Sequence, residues 1–312
     1  MKQYTILDAH CDTAGELLDK NASLLSNTGH LSLEMMQKYG GYVQFFAAWI
    51  SKNEKNPILR TLEILDNLKR EIEKNQHKIM EIKTVQDISS AFSKGKYGAI
   101  LAIEDARALS GSLATLRMYY ALGVRALTLA WNDDNDVTDG ANSICDNGLT
   151  EFGRQVVKEM NRLHMIVDVS HISKKGFWDV LSVSSAPVMA SHSNCMAICH
   201  HLRNLDDAQI KALIKMQGFI GINLYPPFLS PNGRADIKTV LAHIEYILEL
   251  GGENILGLGS DFDGVDCLPD GISNAAEYTR LFDEMSSCGY SDALINKITH
   301  ENMIRFMARI EK

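Results

Sequence analysis

Proline is scarce in this chain, six in 312 residues, and no Pro/Ser/Gly-rich stretch interrupts it. Such a stretch would mark a flexible linker between domains, so a single domain over residues 1–312 is expected. Also missing is any run of the roughly 18 apolar residues that a membrane span requires. The first residues show no basic segment followed by an apolar one, so nothing reads as a signal peptide or lipid anchor. The six cysteines (Cys11, Cys145, Cys195, Cys199, Cys267 and Cys288) form no dense or regular framework. They read as reduced thiols of an intracellular protein, and a cytoplasmic location is expected. Positive charge is in deficit too: 31 Lys and Arg stand against 39 Asp and Glu, a net charge of −8. A nucleic-acid surface needs clustered Lys and Arg. Neither nucleic acid nor membrane is therefore expected as a partner.

What the chain does have is a globular composition, 46% hydrophobic and 22% charged, and a repeated alternation. Short apolar runs recur at 4–10, 42–50, 98–105, 124–131, 165–171, 187–193, 219–225 and 255–262. They are strand-length and apolar on both faces, as buried parallel strands are. Amphipathic segments separate them. One has Ile58, Leu62, Leu65, Leu68 and Ile72 at helical spacing; another opens on Thr150 as an N-cap; a third stops at Gly218. Two more helical segments follow, near 275–288 and 291–310. Eight strands with intervening helices is the count of a closed α/β barrel, the (β/α)8 or TIM fold, with extra helices at the C-terminus. An open doubly wound sheet is the alternative, but "DAHCDTAGELL" after the first run is not the Gly-rich phosphate loop such sheets carry.

In this barrel, function sits at the C-terminal ends of the strands. The first run ends in "DAHCD", with His10 and Asp12 two residues apart and so on one face of a strand. The third ends in Glu104, the fifth in His171, the sixth in His192 and the eighth in Asp261. Singly, each has an ordinary reading: a satisfied core histidine, a carboxylate paired with Arg107 or Arg125, a turn aspartate. Together, five of eight strand ends carry a group that is costly to bury without a partner. A metal is the partner that suits carboxylates and imidazoles at once. The set is too rich for one tetrahedral ion, and a pair of ions about 3.5–4 Å apart fits better. Glu104 would bridge them, His10 and Asp12 would complete one, and His171 and His192 the other. A water or hydroxide between them, its pKa lowered toward about 7, would be the nucleophile. Asp261 would move the proton.

The pieces "DAHCD", "AIED", "GLTEFGRQVVKEMNRLHMIVDVSHIS", "VMASHSN", "RNLDD", "GINLYPPFL" and "LGSDFDG", in this order from residue 7 to 264, resemble the renal or membrane dipeptidase family of zinc peptidases. The resemblance implies a metallo-dependent hydrolase barrel with two Zn2+ ions on those same five ligands. It implies hydrolysis of L-L and L-D dipeptides, with Asp261 as proton carrier. It further implies that Arg203 holds the substrate carboxylate, which a guanidinium grips by two parallel hydrogen bonds. Tyr225 resembles a substrate-lining position. A homodimer is compatible with the resemblance.

One stretch departs from the pattern. Many family members read "LTLTH" after the fourth strand; here it is "LTLAWNDDN", with Trp131 in place of the His that steadies the substrate carbonyl. Trp donates one hydrogen bond and accepts none. A metal, Trp131 or Asn132 is then left to stabilise the oxyanion. Two other readings stay open on the residues alone: a metal-dependent hydrolase of N-acylated amino acids, and a metal-binding protein without catalysis. The stretch "DDNDVTDG" (133–140) lacks the glycine position of an EF-hand and reads as an acidic loop over the rim.

Overall fold

The computed structural model describes residues 3–312. Its strands are β1 Thr5–Cys11, β2 Gly41–Trp49, β3 Ile79–Glu81, β4 Tyr97–Glu104, β5 Val124–Thr128, β6 Ile166–Asp168, β7 Met189–Ala190, β8 Phe219–Ile222 and β9 Leu256–Leu258. Eight of them run round in chain order and close into a parallel barrel where β2 pairs with β4. These eight are the apolar runs of the sequence. The ninth, β3, is too short and too polar to read as a buried strand. It pairs with Tyr97–Ala99 at the start of β4, while β5 takes Leu101–Glu104 further along.

Two clusters of buried side chains follow from the two-residue period of strands. One fills the barrel: Leu7 and Ala9, Val43, Phe45 and Ala47, Ile100 and Ala102, Ala126, Ile166, Met189 and Phe219. The C-terminal helix Asn302–Ile310 plugs its lower end, with the Phe306 ring 6.0 Å from that of Phe219. The other cluster lies between strands and helices, where Ile6, Phe46, Leu101 and Leu127 meet Leu65, Val156, Ile210 and Ile244. Two residues beyond the inward apolar layer, the same period brings polar groups inside: Glu104, Thr128, Asp168 and Ser191, all buried.

β1 breaks the rule in a useful way. Asp8 is opposite Gln44, yet Cys11 is opposite Phe46, so three residues of β1 match two of β2. An extra residue in a strand re-aims the side chains around it. Asp8 keeps the outward face, where it bonds Gln44 and Tyr278. His10, which would otherwise follow Asp8 outward, joins the barrel mouth beside Glu104.

The helices form largely where their caps and stripes place them. Thr150 caps Glu151–Arg162 by accepting from the Gly153 N–H at 2.9 Å. Helix Pro57–Lys74 buries Thr61, Ile64, Leu65, Leu68 and Ile72, while Ile58 and Leu62 stay 36% and 38% exposed. The buried face is thus rotated from the expected stripe at its first turns. The left-handed residue after helix Asp207–Lys215 is Gln217, not Gly218. Gly218 is required for space instead, since a Cβ there would stand 2.5 Å from the Val188 carbonyl oxygen. Among the described residues no helix is long and apolar enough to cross a membrane.

Gly259 ties the fold to the barrel mouth. It follows β9, two residues before Asp261, and a Cβ on it would collide with the Ser191 carbonyl. Gly259→Ala is expected to cost about 1–3 kcal/mol of stability by overpacking, read from urea unfolding, and to lower activity in the folded fraction because Asp261 is displaced.

Candidate metal centre and active site

The five residues expected as ligands meet at the mouth of the barrel. His10 Nε2 lies 3.2 Å from Asp12 Oδ2 and 3.6 Å from Glu104 Oε2. On the far side, His171 Nε2 lies 3.0 Å and His192 Nε2 3.6 Å from Glu104 Oε1. The two oxygens of Glu104 therefore face two different groups, His10 with Asp12 and His171 with His192. In each group, Glu104 included, the candidate ligand atoms lie within 4.8 Å of one another. Asp261 Oδ1 is 3.8 Å from His10 Nε2.

Neither nearby arginine takes Glu104. Arg107 turns to Asp105 at 3.1 Å, and Arg125 donates to the carbonyls of Lys83, Tyr120 and Val124. Glu104 Oε1 and Asp12 Oδ1 are buried without a hydrogen bond of good geometry. Unmade bonds on buried carboxylates are expensive. Burial pushes the Glu104 carboxyl up to about 8 and raises that of Asp261. It also holds His171 and His192 well below the ordinary imidazole range, so both are neutral.

The imidazoles are oriented as ligands need to be. His171 Nδ1 bonds Asn132 Oδ1 at 2.8 Å, and His192 Nδ1 bonds Ser191 Oγ at 2.8 Å. An amide oxygen only accepts, so His171 carries its proton on Nδ1 and its lone pair on Nε2. The two Nε2 atoms face each other at 2.7 Å. This donor set of three imidazoles and two carboxylates, with orphaned oxygens between them, fits divalent cations of the zinc type.

The remaining expected residues surround this cluster. A cleft of about 490 Å³ opens beside it, lined by Trp49, Trp131, Asn132, Tyr225, Phe228 and Asp261 among others. The Trp131 ring stacks over His171 at 6.0 Å and meets Trp49 edge-on at 5.3 Å. Trp131 is thus a wall of the cleft. Tyr225 packs edge-on against Phe228. Arg203 is buried, with Nη2 3.4 Å from the His192 carbonyl and Nε unpartnered. Burial lowers its pKa to about 10, which leaves it cationic at neutral pH. It lines a second cavity of about 190 Å³ that shares His171 with the cleft. The acidic loop 133–140 is pinned by its neighbours, with Asn135 donating to Asp105 and Asp133 pairing with Lys52.

Three supporting residues escaped the sequence reading. Asp8 Oδ1 accepts from the His10 backbone N–H at 3.0 Å and from Ser260 N–H at 3.2 Å. Asn223 Nδ2 donates to Asp261 Oδ2 at 2.9 Å. Asp168 lies under His192 and, with His10 and His192, forms a third close group. The signal was present: each is a polar residue inside a run otherwise apolar, as in "TILDAH", "MIVDV" and "GINLY", and a buried strand tolerates that only with a bonding partner. The backbone is left-handed at His171 (φ 67°) and Asp261 (φ 64°), a conformation that non-glycine residues hold only when their surroundings enforce it.

Over its whole length, residues 1–312, the sequence matches the membrane dipeptidase family, peptidase family M19. The chain belongs to this family. Its structure is similar to that of a metallo peptidase from Rhodobacter sphaeroides liganded with a phosphinate mimic of the dipeptide L-Ala-D-Ala, at 27% identity and a TM-score of 0.92, covering 99% of this chain and 100% of that one. It is equally similar to the metallo peptidase dipeptidase AC, at 29% identity and a TM-score of 0.92, covering 99% of each. An amidohydrolase from Pseudomonas aeruginosa follows at 25% identity and a TM-score of 0.82, covering 89% of this chain and 91% of that one. The M19 chain described here is accordingly a metallo-dipeptidase, a hydrolase of peptide bonds.

The bond from Asn223 fixes the rotation of Asp261 in this dipeptidase. Asn223→Ala is expected to lower kcat for dipeptide hydrolysis about ten- to hundred-fold, the scale of a misplaced reacting group, with zinc content unchanged by elemental analysis. Loss of the metal instead would show that Asn223 supports the cluster and not Asp261.

Proposed function

We propose that the chain is a binuclear zinc dipeptidase acting on L-L and L-D dipeptides. The observation that carries this reading is Glu104, whose two oxygens face two separate groups of ligands. His10 and Asp12 would hold one ion, His171 and His192 the other, with Glu104 shared. When bound, the ions supply Lewis acidity, polarising the scissile carbonyl and acidifying the attacking water to a pKa of about 7.

The chain's own residues do the rest. Asp261 takes the proton from the attacking water and passes it to the leaving amine, while Asn223 holds its other oxygen. Arg203, whose Nε is unpartnered, grips the substrate carboxylate. A carboxylate there and a free amine near the metal cluster measure the substrate from both ends, so longer peptides put no carboxylate within reach. Trp131 and Asn132 both line the cleft and carry N–H donors for the carbonyl oxygen as it becomes tetrahedral. Tyr225 lines the same cleft.

The zinc-reconstituted protein is expected to release amino acids from L-L and L-D dipeptides and to spare their N-acetyl forms. His171→Ala should be inactive and bind one zinc fewer by elemental analysis. Arg203→Lys, which keeps charge but loses the fork, should raise KM about ten-fold with kcat less affected. Cleavage of the N-acetyl substrates alone would replace this reading by an acyl-amino-acid hydrolase. Bound zinc without turnover of any of them would sink it.

A further inference from the structure

Asp168 sits at the end of β6, in the polar layer just beneath the metal ligands, and is 1% exposed. Its closeness to His10 and His192 invites a reading as a further metal ligand. Its hydrogen bonds argue against that. Oδ1 accepts from the backbone N–H groups of Ser170 and Ser191, both at 3.0 Å. Oδ2 accepts from the hydroxyls of Thr128 at 2.7 Å and Ser191 at 2.6 Å. Four donors from three neighbouring segments of the barrel wall occupy both oxygens.

The Ser191 hydroxyl has one proton, and a carboxylate accepts only. With that proton given to Asp168, the oxygen has only acceptor capacity left for His192 Nδ1, 2.8 Å away. The ring must then carry its hydrogen on Nδ1, which leaves the lone pair on Nε2. It faces the lone pair of His171 Nε2 at 2.7 Å with no proton between them, an arrangement that a cation shared by both rings relieves. We infer that Asp168 is a positioning residue which, through the Ser191 hydroxyl, sets the tautomer of His192 and so decides which nitrogen is offered to the cation. The inference rests on the metal reading above, because a cation is what takes the two facing lone pairs; the tautomer itself is read separately, in metal-free protein.

Asp168→Asn tests it with almost no change of shape. The two backbone donors keep the amide oxygen at the Oδ1 position, so the amide nitrogen takes the place of Oδ2. It then donates to Ser191, the Ser191 hydroxyl turns to donate to His192 Nδ1, and the ring proton moves to Nε2. In metal-free protein with 15N-labelled histidine, the His192 signals, assigned by their absence in His192→Gln, should report Nδ1–H in the parent and Nε2–H in Asp168→Asn. Ser191→Ala, which removes one hydroxyl, should populate both forms. By competition with a chromophoric chelator, zinc affinity should fall about 10–100-fold in Asp168→Asn, the usual scale for an outer partner of a metal-binding histidine. The fall in Ser191→Ala should be smaller. An unchanged tautomer in Asp168→Asn, or a changed tautomer with full zinc affinity, would overturn the inference. Should Asp168→Asn fail to fold by circular dichroism, the tautomer mixture in Ser191→Ala decides it alone. A parent protein that binds no zinc would defeat the binuclear reading and leave the tautomer result standing.

Discussion

A carboxylate buried at the mouth of a barrel and left without an arginine is the constraint on which this site depends. Glu104 ends a strand of eight residues that is otherwise apolar apart from Tyr97. Two arginines lie within reach along the chain, and both are occupied elsewhere, Arg107 by Asp105 and Arg125 by backbone carbonyls. Had either closed on Glu104, the result would be a satisfied ion pair with nothing left to bind. Left open, its two oxygens face His10 with Asp12 on one side and His171 with His192 on the other. A buried carboxylate is stabilised by a cation in contact or by a full set of hydrogen-bond donors; Asp168 has the donors, and Glu104 Oε1 has none of good geometry.

Around that open point the structure is closed with care. Asp8, Asp168 and Asn223 are buried polar groups whose oxygens or amide are taken up by backbone N–H groups, hydroxyls and one another's neighbours. They hold the backbone of β1, the proton of His192 and the rotation of Asp261 in turn. The orphaned atoms at the site include Glu104 Oε1, Asp12 Oδ1 and Arg203 Nε, the groups to which the proposed function gives ions and substrate. His171 and Asp261 are also among the residues that hold left-handed backbone. Rigid support around groups left open is what preorganisation requires.

Much of this was legible from residue order. Apolar runs of strand length separated by helical stripes announce a parallel barrel, because only strands covered on both faces are apolar throughout. The polar residues at their ends announce the site, because burial makes them costly singly and coherent only together. The strand β3 was not legible, being three residues with a polar end that pair with the start of β4. Nor was the rotated face of helix Pro57–Lys74, where Thr61 is buried and Ile58 is not. Hydrophobic spacing gives the period of a helix, while the angle of its axis against the sheet decides which turn is covered.

The sequence by itself determined the fold class, the family and the polar strand ends that meet at the barrel mouth, since those depend on which residue types recur at strand ends, and that is a property of order along the chain. The tertiary structure alone decided how these side chains are aimed. The extra residue in β1 that sends His10 inward, the bond from His171 to Asn132, the partners that occupy Asp168 and the separate cavity of Arg203 all arise between segments tens to hundreds of residues apart. Hydrogen bonds act over about 3 Å, so what orients a side chain is settled by the few atoms packed against it, and those are known only once the chain has closed on itself.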